Sequence, residues 1–387
     1  MPLSIAHLSF SRVGGAGSVA AVLSEAQRAA GDDSQHEFAI ESTLWSRPLS
    51  APLHAVAAGL DHYILRDKDF EAPISLARDA LHWKLNVALE DMDIIHLHNV
   101  NGLTRIGALA RAFPNKKIVW TLHDMNPFTG ACHYALECSN YTQGCSQCPA
   151  VTSLFQGLVE RSFHDKKIDL DEVENLHLVA PSEWMGKAAK SSQLMSKFPR
   201  TIINNPLDPI FFDVDANTAS PTYTFVVVAQ NLEDPVKNVS AAVHAFGVVK
   251  EEFPRATMAL VGRGGSAFSG DGIHLVGPQE HQELAGTLQT SEAIIVPSTA
   301  ENAPMVIAEA ASQGCLPIVR DVGGMSEMIT KLGSGHSFRS SLELTSVMAG
   351  VASKRARPSQ RQALRSKAQS LYSVEAVRKQ YDKVYGR

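Results

Sequence analysis

The stretch PSTAENAPMVIAEAASQGCLPIV, from Pro297 to Val319, decides the fold of this 387-residue chain. The run EAIIVPS leads into it and CLPIV ends it, and both are short, apolar and rich in isoleucine or valine, which is typical of buried strands. Between them we predict a helix that Asn302 caps, with Pro304 in its first turn and Gly314 at its end. A strand, a crossover helix and a second strand form one unit of a parallel α/β sheet.

Two acidic residues of this stretch, Glu301 and Glu309, are functional candidates. The pattern places Glu301 in the loop at the positive end of the helix and Glu309 more than one turn inside it. Both then lie at the carboxyl edge of a parallel sheet, where ligands usually bind, and can hold two hydroxyl-bearing parts of one ligand. In the alternative interpretation, Glu301 only interacts with the helix dipole and Glu309 is a solvated surface residue.

The same alternation of strands and helices runs through both halves of the chain. Strand-like runs are LSIAHLSF, HEFAI, DIIHLH, KKIVWTLH, LHLVAPS and RTIINNP in the first half, and YTFVVVAQ, ATMALVG, GIHLVG, AIIVPS and LPIVRD in the second. The segment NNPLDPIFFDVDANTASPTY between the halves is rich in proline, asparagine and small polar residues, as linkers are. We predict an α/β protein of two doubly wound, Rossmann-like domains, 1–205 and 206–370, that face each other across a cleft.

The end of the chain, SVEAVRKQYDKVYGR, has the pattern of an amphipathic helix. Its apolar residues at helical spacing are Val374, Val377, Tyr381 and Val384. We therefore predict that 371–387 form a helix that crosses back and packs on the first domain.

Composition and charge argue against several classes of protein. The chain is 44% apolar and 19% charged, which is ordinary for a globular protein, and its net charge of −5 does not favour a nucleic-acid-binding protein. No apolar run is long enough for a membrane span, and MPLSIAHLSFSRVGG at the N-terminus lacks the pattern of a secretion signal. We expect a cytoplasmic protein, whose basic stretch SKRARPSQRQALRSKAQ is a solvated face or at most a peripheral contact with the inner membrane surface.

Glycine-rich turns follow predicted strands in both halves. Gly15 and Gly17 come after the first strand and before a helix, so that backbone N–H groups there can receive a phosphate or the polar head of an acceptor. The same loop loosely matches a dinucleotide fingerprint with Glu41 as the ribose ligand, which leaves an NAD-dependent oxidoreductase as an alternative. In the second half, Gly262 lies in a turn after one strand and Lys237 in a loop after another.

The paired acids, the glycine turns, Lys237, VPS before the acids and DVGGMSEMI after them together resemble the retaining glycosyltransferases of family 4, which have the GT-B fold. ENAPMVIAE matches the E-x7-E motif of that family. The resemblance covers nearly the whole chain, and TLHDMNPFTGACHYALECSNYTQGCSQCP is similar to bacterial exopolysaccharide glycosyltransferases of the colanic acid type. It implies that the second domain binds a nucleotide-diphosphate sugar, UDP- or GDP-linked. The first domain would bind the acceptor, a glycan, a lipid-linked glycan or a small molecule.

The resemblance also implies residue roles. Glu309 would hold the ribose hydroxyls of the nucleotide, and Glu301 would hold hydroxyls of the donor sugar. Lys237 would contact the phosphates, and His123, at the end of KKIVWTLH, would lie beside the donor sugar and hold its hydroxyl or the acceptor. We therefore predict His123, Lys237 and Glu301 as the catalytic residues, with a purely structural His123 as the alternative. Such a reaction needs stabilisation of the departing diphosphate rather than a strong base, so we expect no catalytic metal.

The predicted donor site departs from the family at one point. Most members carry an arginine a few residues before the lysine, where this chain has Gln230 and Asn231, and Arg263 in the glycine turn is the candidate replacement. The N-terminus of the helix near Pro304 would share the negative charge of the leaving phosphates. The predicted donor-binding residues are Gly15, Gly17, Asn231, Lys237, Gly262, Arg263, Glu301, Asn302, Ala303 and Glu309.

Four cysteines cluster in the loop at 123–149, which we assign to the acceptor side. Their spacing, C-x5-C-x6-C-x2-C, ends in one short metal-binding hook, and His133 is a fifth candidate ligand. A structural zinc would order this loop in a reducing compartment, and free thiols or disulfides are the alternatives. The four residues are Cys132, Cys138, Cys145 and Cys148.

The sequence thus predicts a retaining hexosyltransferase of surface or exopolysaccharide biosynthesis that binds a nucleotide sugar and a glycan or lipid-linked acceptor, and no nucleic acid. Three alternatives stay open: the NAD-dependent oxidoreductase, a GT-B sugar phosphorylase, and a sugar- or zinc-binding GT-B-like protein without catalytic activity. The donor base, the sugar and the acceptor have no signature in the residues.

Overall fold

The computed structural model describes residues 2–12, 14–40, 64–68, 70–76, 89–101, 104–213, 221–354 and 356–387. Glu41, the ribose ligand of the dinucleotide alternative, and Arg355 of the basic stretch lie outside these ranges. The chain divides into two units, Met1–Pro206 with Val377–Arg387, and Leu207–Ala376.

Six parallel strands form the sheet of the first unit, and each neighbouring pair is parallel. They are β1 (Ser4–Ser11), β2 (Asp33–Ile40), β3 (Ile94–Leu97), β4 (Lys117–Thr121), β5 (Leu176–Ala180) and β6 (Arg200–Ile202), in the order β2-β1-β3-β4-β5-β6. The helices described in this unit are α1 (Gly14–Ala29), α2 (Ile106–Ala112), α3 (Gln156–Asp171) and α4 (Glu183–Ser191).

The second unit repeats this architecture with another sheet of six parallel strands. They are β7 (Tyr223–Asn231), β8 (Met258–Arg263), β9 (Ile273–Gly277), β10 (Ser291–Val296), β11 (Leu316–Arg320) and β12 (His336–Phe338), in the order β12-β11-β10-β7-β8-β9. Its helices are α5 (Val239–Glu252), α6 (His281–Gln289), α7 (Met305–Ser312), α8 (Met325–Leu332), α9 (Ser341–Ser353) and α10 (Pro358–Tyr372). The prediction of two parallel α/β sheets is confirmed.

Central strands are buried on both faces, which explains their continuous apolar sequences. All residues of β10, SEAIIV, are buried, and so are all residues of β3, IIHL. A parallel sheet covered by helices on both faces requires such runs. Among the described residues, no helix combines the length and the apolar character needed to cross a membrane.

Each sheet has a switch point, where the strand order reverses and ligands usually bind. In the first sheet it lies between β1 and β3, and in the second between β7 and β10. The loops after β7 and β10 carry Lys237 and Glu301, and the loops after β3 and β4 carry His98 and His123. The fold therefore brings candidate residues that are distant in sequence to the same sheet edges.

The last helix, α11 (Val374–Tyr385), follows the second unit in sequence but packs on the first sheet. Its side chains at Val377, Tyr381, Val384 and Tyr385 are buried against residues of α1, β1, β3, β4 and β5. Arg387 donates to both carboxylate oxygens of Asp32, at 2.9 and 2.7 Å. The predicted return of the C-terminal helix to the first domain's sheet is therefore observed.

Two helix starts differ from the predictions. Pro304, with φ −66° and ψ 124°, is the N-cap residue of α7, so Asn302 does not cap this helix. The cause is that a proline disfavours helical geometry in the residue before it, and the helix cannot begin earlier. Gly15 and Gly17 lie in the first turn of α1, not in a loop before it. A Cβ atom on Gly17 would lie 2.2 Å from the Ser11 carbonyl oxygen, so glycine there permits the close packing of α1 on β1.

Candidate functional site

An ion pair lies at the switch point of the second sheet. Lys237 ends a short 3₁₀ turn after β7, and Glu301 lies in the loop after β10. The Lys237 Nζ atom donates a hydrogen bond to Glu301 Oε1 at 2.5 Å. The Glu301 side chain is 9% exposed and the Lys237 side chain 33% exposed, so the carboxylate is enclosed while the ammonium group stays accessible to an anion.

Backbone contacts fix the two loops that carry this pair. Asp234 Oδ1 accepts from the Val236 N–H at 2.9 Å, which closes the turn before Lys237. The Val236 carbonyl accepts from the Thr299 N–H at 2.8 Å, and the Asn238 side-chain amide donates to the Pro297 carbonyl at 3.3 Å. The loops after β7 and β10 are therefore joined on both sides of the ion pair.

Gly323, in the loop after β11, sets the position of the Glu301 backbone. It has a φ of +58°, and a Cβ atom there would lie 1.7 Å from the Glu301 carbonyl oxygen. The next residue, Gly324, donates its N–H to the same carbonyl at 3.3 Å. Only glycine permits this approach, so a third loop participates in holding Glu301.

Glu309 lies more than one turn inside α7 and is partly buried. Burial raises its pKa to about 7, with Asp208 adding to the rise and His281 opposing it. His281 Nδ1 lies 3.2 Å from Asp208 Oδ2, so these two neighbours pair with each other. Close to neutral pH, Glu309 is therefore an acid that is poised between its two protonation states.

The residues between Glu301 and α7 are enclosed. Asn302 is buried and Ala303 is partly buried in the connection from β10 to the helix. The N–H groups of Met305 and Val306, at the start of α7, have no acceptor within the helix, as at any helix N-terminus, whereas the Ile307 N–H donates to the Pro304 carbonyl at 3.2 Å. The partial positive charge of this helix terminus thus follows Glu301 closely in sequence.

The glycine turn after β8 is shaped by close contacts. Gly262 has a φ of +147°, and a Cβ atom there would lie 1.9 Å from the Ala229 carbonyl oxygen. Gly265 has a φ of +83° and donates its N–H to Glu233 Oε1 at 3.0 Å. An acidic side chain of the β7 loop thus occupies an N–H group that the turn offers to anions.

Arg263, the candidate replacement for the missing arginine, and Asn231, which lies where that arginine is expected, both take part in local contacts. Arg263 is exposed at the end of β8, and its Nε atom donates to the Gln230 carbonyl at 3.4 Å. Asn231 Oδ1 accepts from the Glu233 N–H at 3.1 Å, which is an Asx turn. The structure places both residues on the β7–β8 side of the switch point.

In the first unit, His123 follows β4 and lines a cavity of about 130 Å³. His123 Nε2 lies 3.0 Å from His98 Nδ1. Burial lowers the pKa of His123 to about 4, although Asp124 opposes this, so the imidazole is neutral at ordinary pH. The other lining residues are His98, Asn99, Val100, Asn101, Thr104, Arg105, Ile106, Trp120, Asp124, Asn126, Pro127, Asp165, Lys166, Asp169 and Leu170.

The charges around this cavity are largely paired within the first unit. Asp124 Oδ2 lies 2.7 Å from His133 Nδ1. Burial alone would raise the pKa of Asp124, but His133 and the hydrogen bond from the Asn126 N–H outweigh burial and hold this pKa below its usual value. The Lys166 Nζ atom donates to the carbonyls of Asn126 and Thr129 at 2.6 and 3.0 Å. Burial lowers the pKa of Lys166 to about 8. Polar groups with both donor and acceptor capacity thus surround His123, as binding of a hydroxylated ligand would require.

The thiols of the four loop cysteines influence one another. A hydrogen bond between the Cys132 and Cys148 side chains lowers the pKa of Cys148 to about 7 and, together with burial, raises the pKa of Cys132, which Cys145 and Cys138 raise further. A tetrahedral zinc holds its thiolate sulfurs about 3.8 Å apart, given Zn–S bonds of about 2.3 Å. Within the part of the chain that the structure describes, the group of three metal-ligand side chains with atoms within 4.8 Å is His7, His96 and His98, not cysteines. The thiols of Cys132, Cys138, Cys145 and Cys148 are free.

Other hydrogen bonds hold the cysteine loop. Cys145 Sγ accepts from the Gly130 N–H at 3.2 Å, and Cys138 Sγ accepts from the Asn140 N–H at 3.4 Å. Both nitrogens of His133 are engaged, because its Nε2 atom lies 2.8 Å from Ser75 Oγ, so His133 is not a fifth ligand in this arrangement. Structural zinc at the four cysteines stays a prediction that elemental analysis of the purified protein would decide.

Several residues that shape these sites are not among those predicted from the sequence. Glu233, Gly323, Lys166 and His98 are each isolated in sequence from their partners. The signal for His98 was visible as HLH after an apolar run, but its partners lie on β1 and after β4. Only the strand order shows which of these residues are neighbours.

The residues that carry the ion pair also have a recognisable family pattern. Residues 212–370 match glycosyl transferases group 1. This match includes Lys237, Glu301 and Glu309, together with the glycine turn after β8. The first unit lies outside the matched range.

A protein with a described pathway matches little more than half of this chain. The chain is 24% identical over 230 residues to WcaC of Escherichia coli K12, which is described as a colanic acid biosynthesis glycosyl transferase. The aligned region covers 57% of this chain and 56% of WcaC, so it spans little more than half of that protein.

Two solved structures match along their full lengths. Sucrose-phosphate synthase of Thermosynechococcus elongatus has a TM-score of 0.65 at 16% identity, over 99% of this chain and 98% of that one. HepE of Anabaena, solved in complex with UDP-glucose, has a TM-score of 0.63 at 15% identity, over 99% of both chains. The chain therefore has the α/β GT-B fold, and this prediction is confirmed.

Proposed function

We propose that the protein is a retaining glycosyltransferase of family 4 that moves a hexose from a UDP- or GDP-sugar to a hydroxyl of a glycan, lipid-linked glycan or small-molecule acceptor. The observation that carries the proposal is the Lys237–Glu301 pair at the switch point of the second sheet, inside the range that matches glycosyl transferases group 1. The similarity to HepE, solved with UDP-glucose, supports a nucleotide-sugar donor. The similarity to WcaC supports a role in polysaccharide biosynthesis.

The donor side of the proposed reaction uses the second unit. Lys237 stabilises the negative charge of the leaving diphosphate, and the N-terminus of α7 adds partial positive charge. Glu301 accepts hydrogen bonds from hydroxyls of the sugar, and Glu309 accepts them from the ribose. Hydroxyl donors favour the ionised form of a carboxylate, so binding would lower the raised pKa of Glu309. With the leaving group stabilised in this way, we expect transfer without added magnesium or manganese.

The acceptor side of the proposal uses the first unit. The cavity beside His123 offers a neutral imidazole, amides and paired charges, which suit a ligand rich in hydroxyl groups. His123 would hold a hydroxyl of the reacting sugar or of the acceptor. Gly15, in the first turn of α1, is exposed and its N–H would be available to an anionic group at that helix terminus.

Donor binding is the first test. A ligand that binds only the folded state raises the melting temperature, so UDP-, GDP- and ADP-sugars are compared for thermal stabilisation. We expect one class of nucleotide sugar to stabilise the wild type and Lys367→Ala, in which an exposed lysine of α10 is removed, but not Lys237→Ala. Equal stabilisation of all three proteins would contradict the proposed donor site.

The stereochemical part of the proposal needs a separate measurement. We expect the anomeric configuration of the donor sugar to be kept in the first-formed product, as proton NMR of the product would show. An inverted product would leave glycosyl transfer intact but overturn retention. A nicotinamide absorbance change without sugar transfer would instead favour the oxidoreductase alternative.

A further inference from the structure

Three imidazole rings form a hydrogen-bonded line from the interior of the first unit to the cavity. His7 Nε2 lies 2.7 Å from Gln27 Oε1, and His7 Nδ1 lies 3.0 Å from His98 Nε2. His98 Nδ1 in turn lies 3.0 Å from His123 Nε2. Gln27, on α1, and His7, on β1, are completely buried, and His98 is 1% exposed. Of the three rings, those of His98 and His123 line the cavity.

All three rings are neutral at ordinary pH. Burial lowers the pKa of His7 to about 3 and that of His123 to about 4, and it holds the pKa of His98 well below its usual value. A neutral imidazole carries one N–H donor and one bare nitrogen acceptor. In a line of such rings every hydrogen bond must run in the same direction. The group at one end therefore determines which nitrogen is protonated at the other end.

The buried end of the line is the Gln27 side chain. Its Oε1 atom accepts from Ser34 Oγ at 2.8 Å and faces His7, while its Nε2 atom donates to the Tyr385 hydroxyl at 3.3 Å. With the amide oxygen toward it, His7 must donate from Nε2, so that its Nδ1 atom accepts from His98. The same logic makes His98 accept at Nδ1 from the Nε2–H group of His123.

A metal site does not explain these histidines. His7, His96 and His98 have ligand atoms within 4.8 Å of one another, but each nitrogen already has a hydrogen-bond partner. His96 Nδ1 lies 2.8 Å from the Tyr385 hydroxyl, and its Nε2 atom lies 2.8 Å from Thr121 Oγ1. A buried cluster with all nitrogens satisfied has no lone pair left for an ion.

We propose that Gln27 is a positioning residue that sets, through His7 and His98, the Nε2–H tautomer of His123 and thereby makes its Nδ1 atom the hydrogen-bond acceptor. A substrate hydroxyl held by Nδ1 must then be the donor in that hydrogen bond. The kinetic consequence rests on the proposed function of His123, whereas the tautomer itself does not. The opposite polarity requires the Gln27 amide to be turned, with its nitrogen toward His7 and Ser34.

The tautomer can be measured without any assumption about activity. Nitrogen-15 NMR of histidine-labelled protein distinguishes protonated from bare ring nitrogens, and the His123 signals are those lost in His123→Asn. We expect wild-type His123 to be protonated at Nε2 and bare at Nδ1. Protonation at Nδ1 would overturn the proposal, and the tautomer itself is measured on the unsubstituted protein.

Two substitutions of Gln27 separate its acceptor role from its size. In Gln27→Met the acceptor is lost, and we expect the His123 signals to show a mixture of tautomers. In Gln27→Glu the carboxylate can only accept when ionised, so we expect the wild-type tautomer to be kept. Unchanged His123 signals in a folded Gln27→Met protein would overturn the proposal.

The kinetic arm compares the same two variants. We expect Gln27→Met to lower kcat by about tenfold while KM for the nucleotide sugar stays within about twofold, since a supporting hydrogen bond typically has effects of this size. Gln27→Glu should recover most of kcat. If no nucleotide sugar is turned over by the wild type, the proposed function fails, but the NMR result still decides the tautomer.

Discussion

At the scale of single residues, Glu309 is an acid whose protonation should control stability. Burial raises its pKa to about 7, from 4.5 for an ordinary glutamate, so the folded protein holds an extra proton between these two values. Stability must then fall as pH rises through this window, by on the order of 2 kcal/mol, and the cost is fully present above about pH 7. We expect urea unfolding to show that Glu309→Gln is stabilised relative to wild type at pH 8 but not at pH 5. The exposed Glu251→Gln is the control, and an identical pH dependence of all three proteins would contradict the assignment.

The Lys237–Glu301 pair gives a second residue-scale prediction because its two members are unequally buried. Lys237→Ala leaves an enclosed carboxylate without its cation, whereas Glu301→Ala leaves an ammonium group that is 33% exposed and can be hydrated. We expect Lys237→Ala to lower the free energy of unfolding more than Glu301→Ala does, with a coupling energy on the order of 1–3 kcal/mol in the double-mutant cycle. In the proposed reaction, Lys237→Ala also causes the larger loss of kcat. Additive effects of the two substitutions would show that the pair does not interact.

At the scale of structural elements, the loop after β11 holds the loop after β10 through Gly323. A Cβ atom there would lie 1.7 Å from the Glu301 carbonyl oxygen, and the φ of +58° is unfavourable for alanine. We expect Gly323→Ala to destabilise the protein by on the order of 3 kcal/mol and to weaken nucleotide-sugar binding. Gly247→Ala is the matched control, since Gly247 lies in α5 and a Cβ atom there has no neighbour within 4 Å. It should be neutral or stabilising by up to about 1 kcal/mol, and an equal loss in both variants would refute the role of Gly323.

Strands with a continuous apolar run could be predicted from the sequence, whereas elements that depend on pairing with a neighbour or on local backbone geometry could not. The strands β3, β4 and β10 are buried along nearly their whole length, so their sequences alone indicate strands. The strand β12 escaped prediction because only Phe338 of its three residues is buried, and it forms by pairing with β11. The start of α7 was placed too early because Asn302 is a good capping residue, but the geometry imposed by Pro304 prevails.

At the scale of the whole molecule, the sequence predicted the edges where sites lie but not the contacts across them. Lys237 and Glu301 were both expected at strand ends, and their hydrogen bond follows from the adjacency of β7 and β10, which are separated by two other strands in sequence. The hydrogen-bonded line of Gln27, His7, His98 and His123 depends on three such neighbour relations at once. They join α1 to β1, β1 to the loop after β3, and that loop to the loop after β4.

Near its end, the chain crosses from the second unit to the first within a few residues. This crossing allows a test of whether the two units unfold independently or together. Tyr372, at the end of α10, is 2% exposed in the core of the second unit, whereas Tyr381, on α11, is fully buried on the first sheet, where its hydroxyl lies 2.9 Å from Thr121 Oγ1. Truncating a buried aromatic residue removes about 3–5 kcal/mol. We expect Tyr381→Ala to reduce hydrogen-exchange protection in β1, β3, β4 and β5 while β7, β10 and β11 stay protected. Tyr372→Ala should give the opposite pattern, because the same side chain is removed only nine residues earlier but from the other core. Equal loss of protection in both sheets for either variant would show that the units unfold together, and that the C-terminal helix does not belong energetically to the first unit alone.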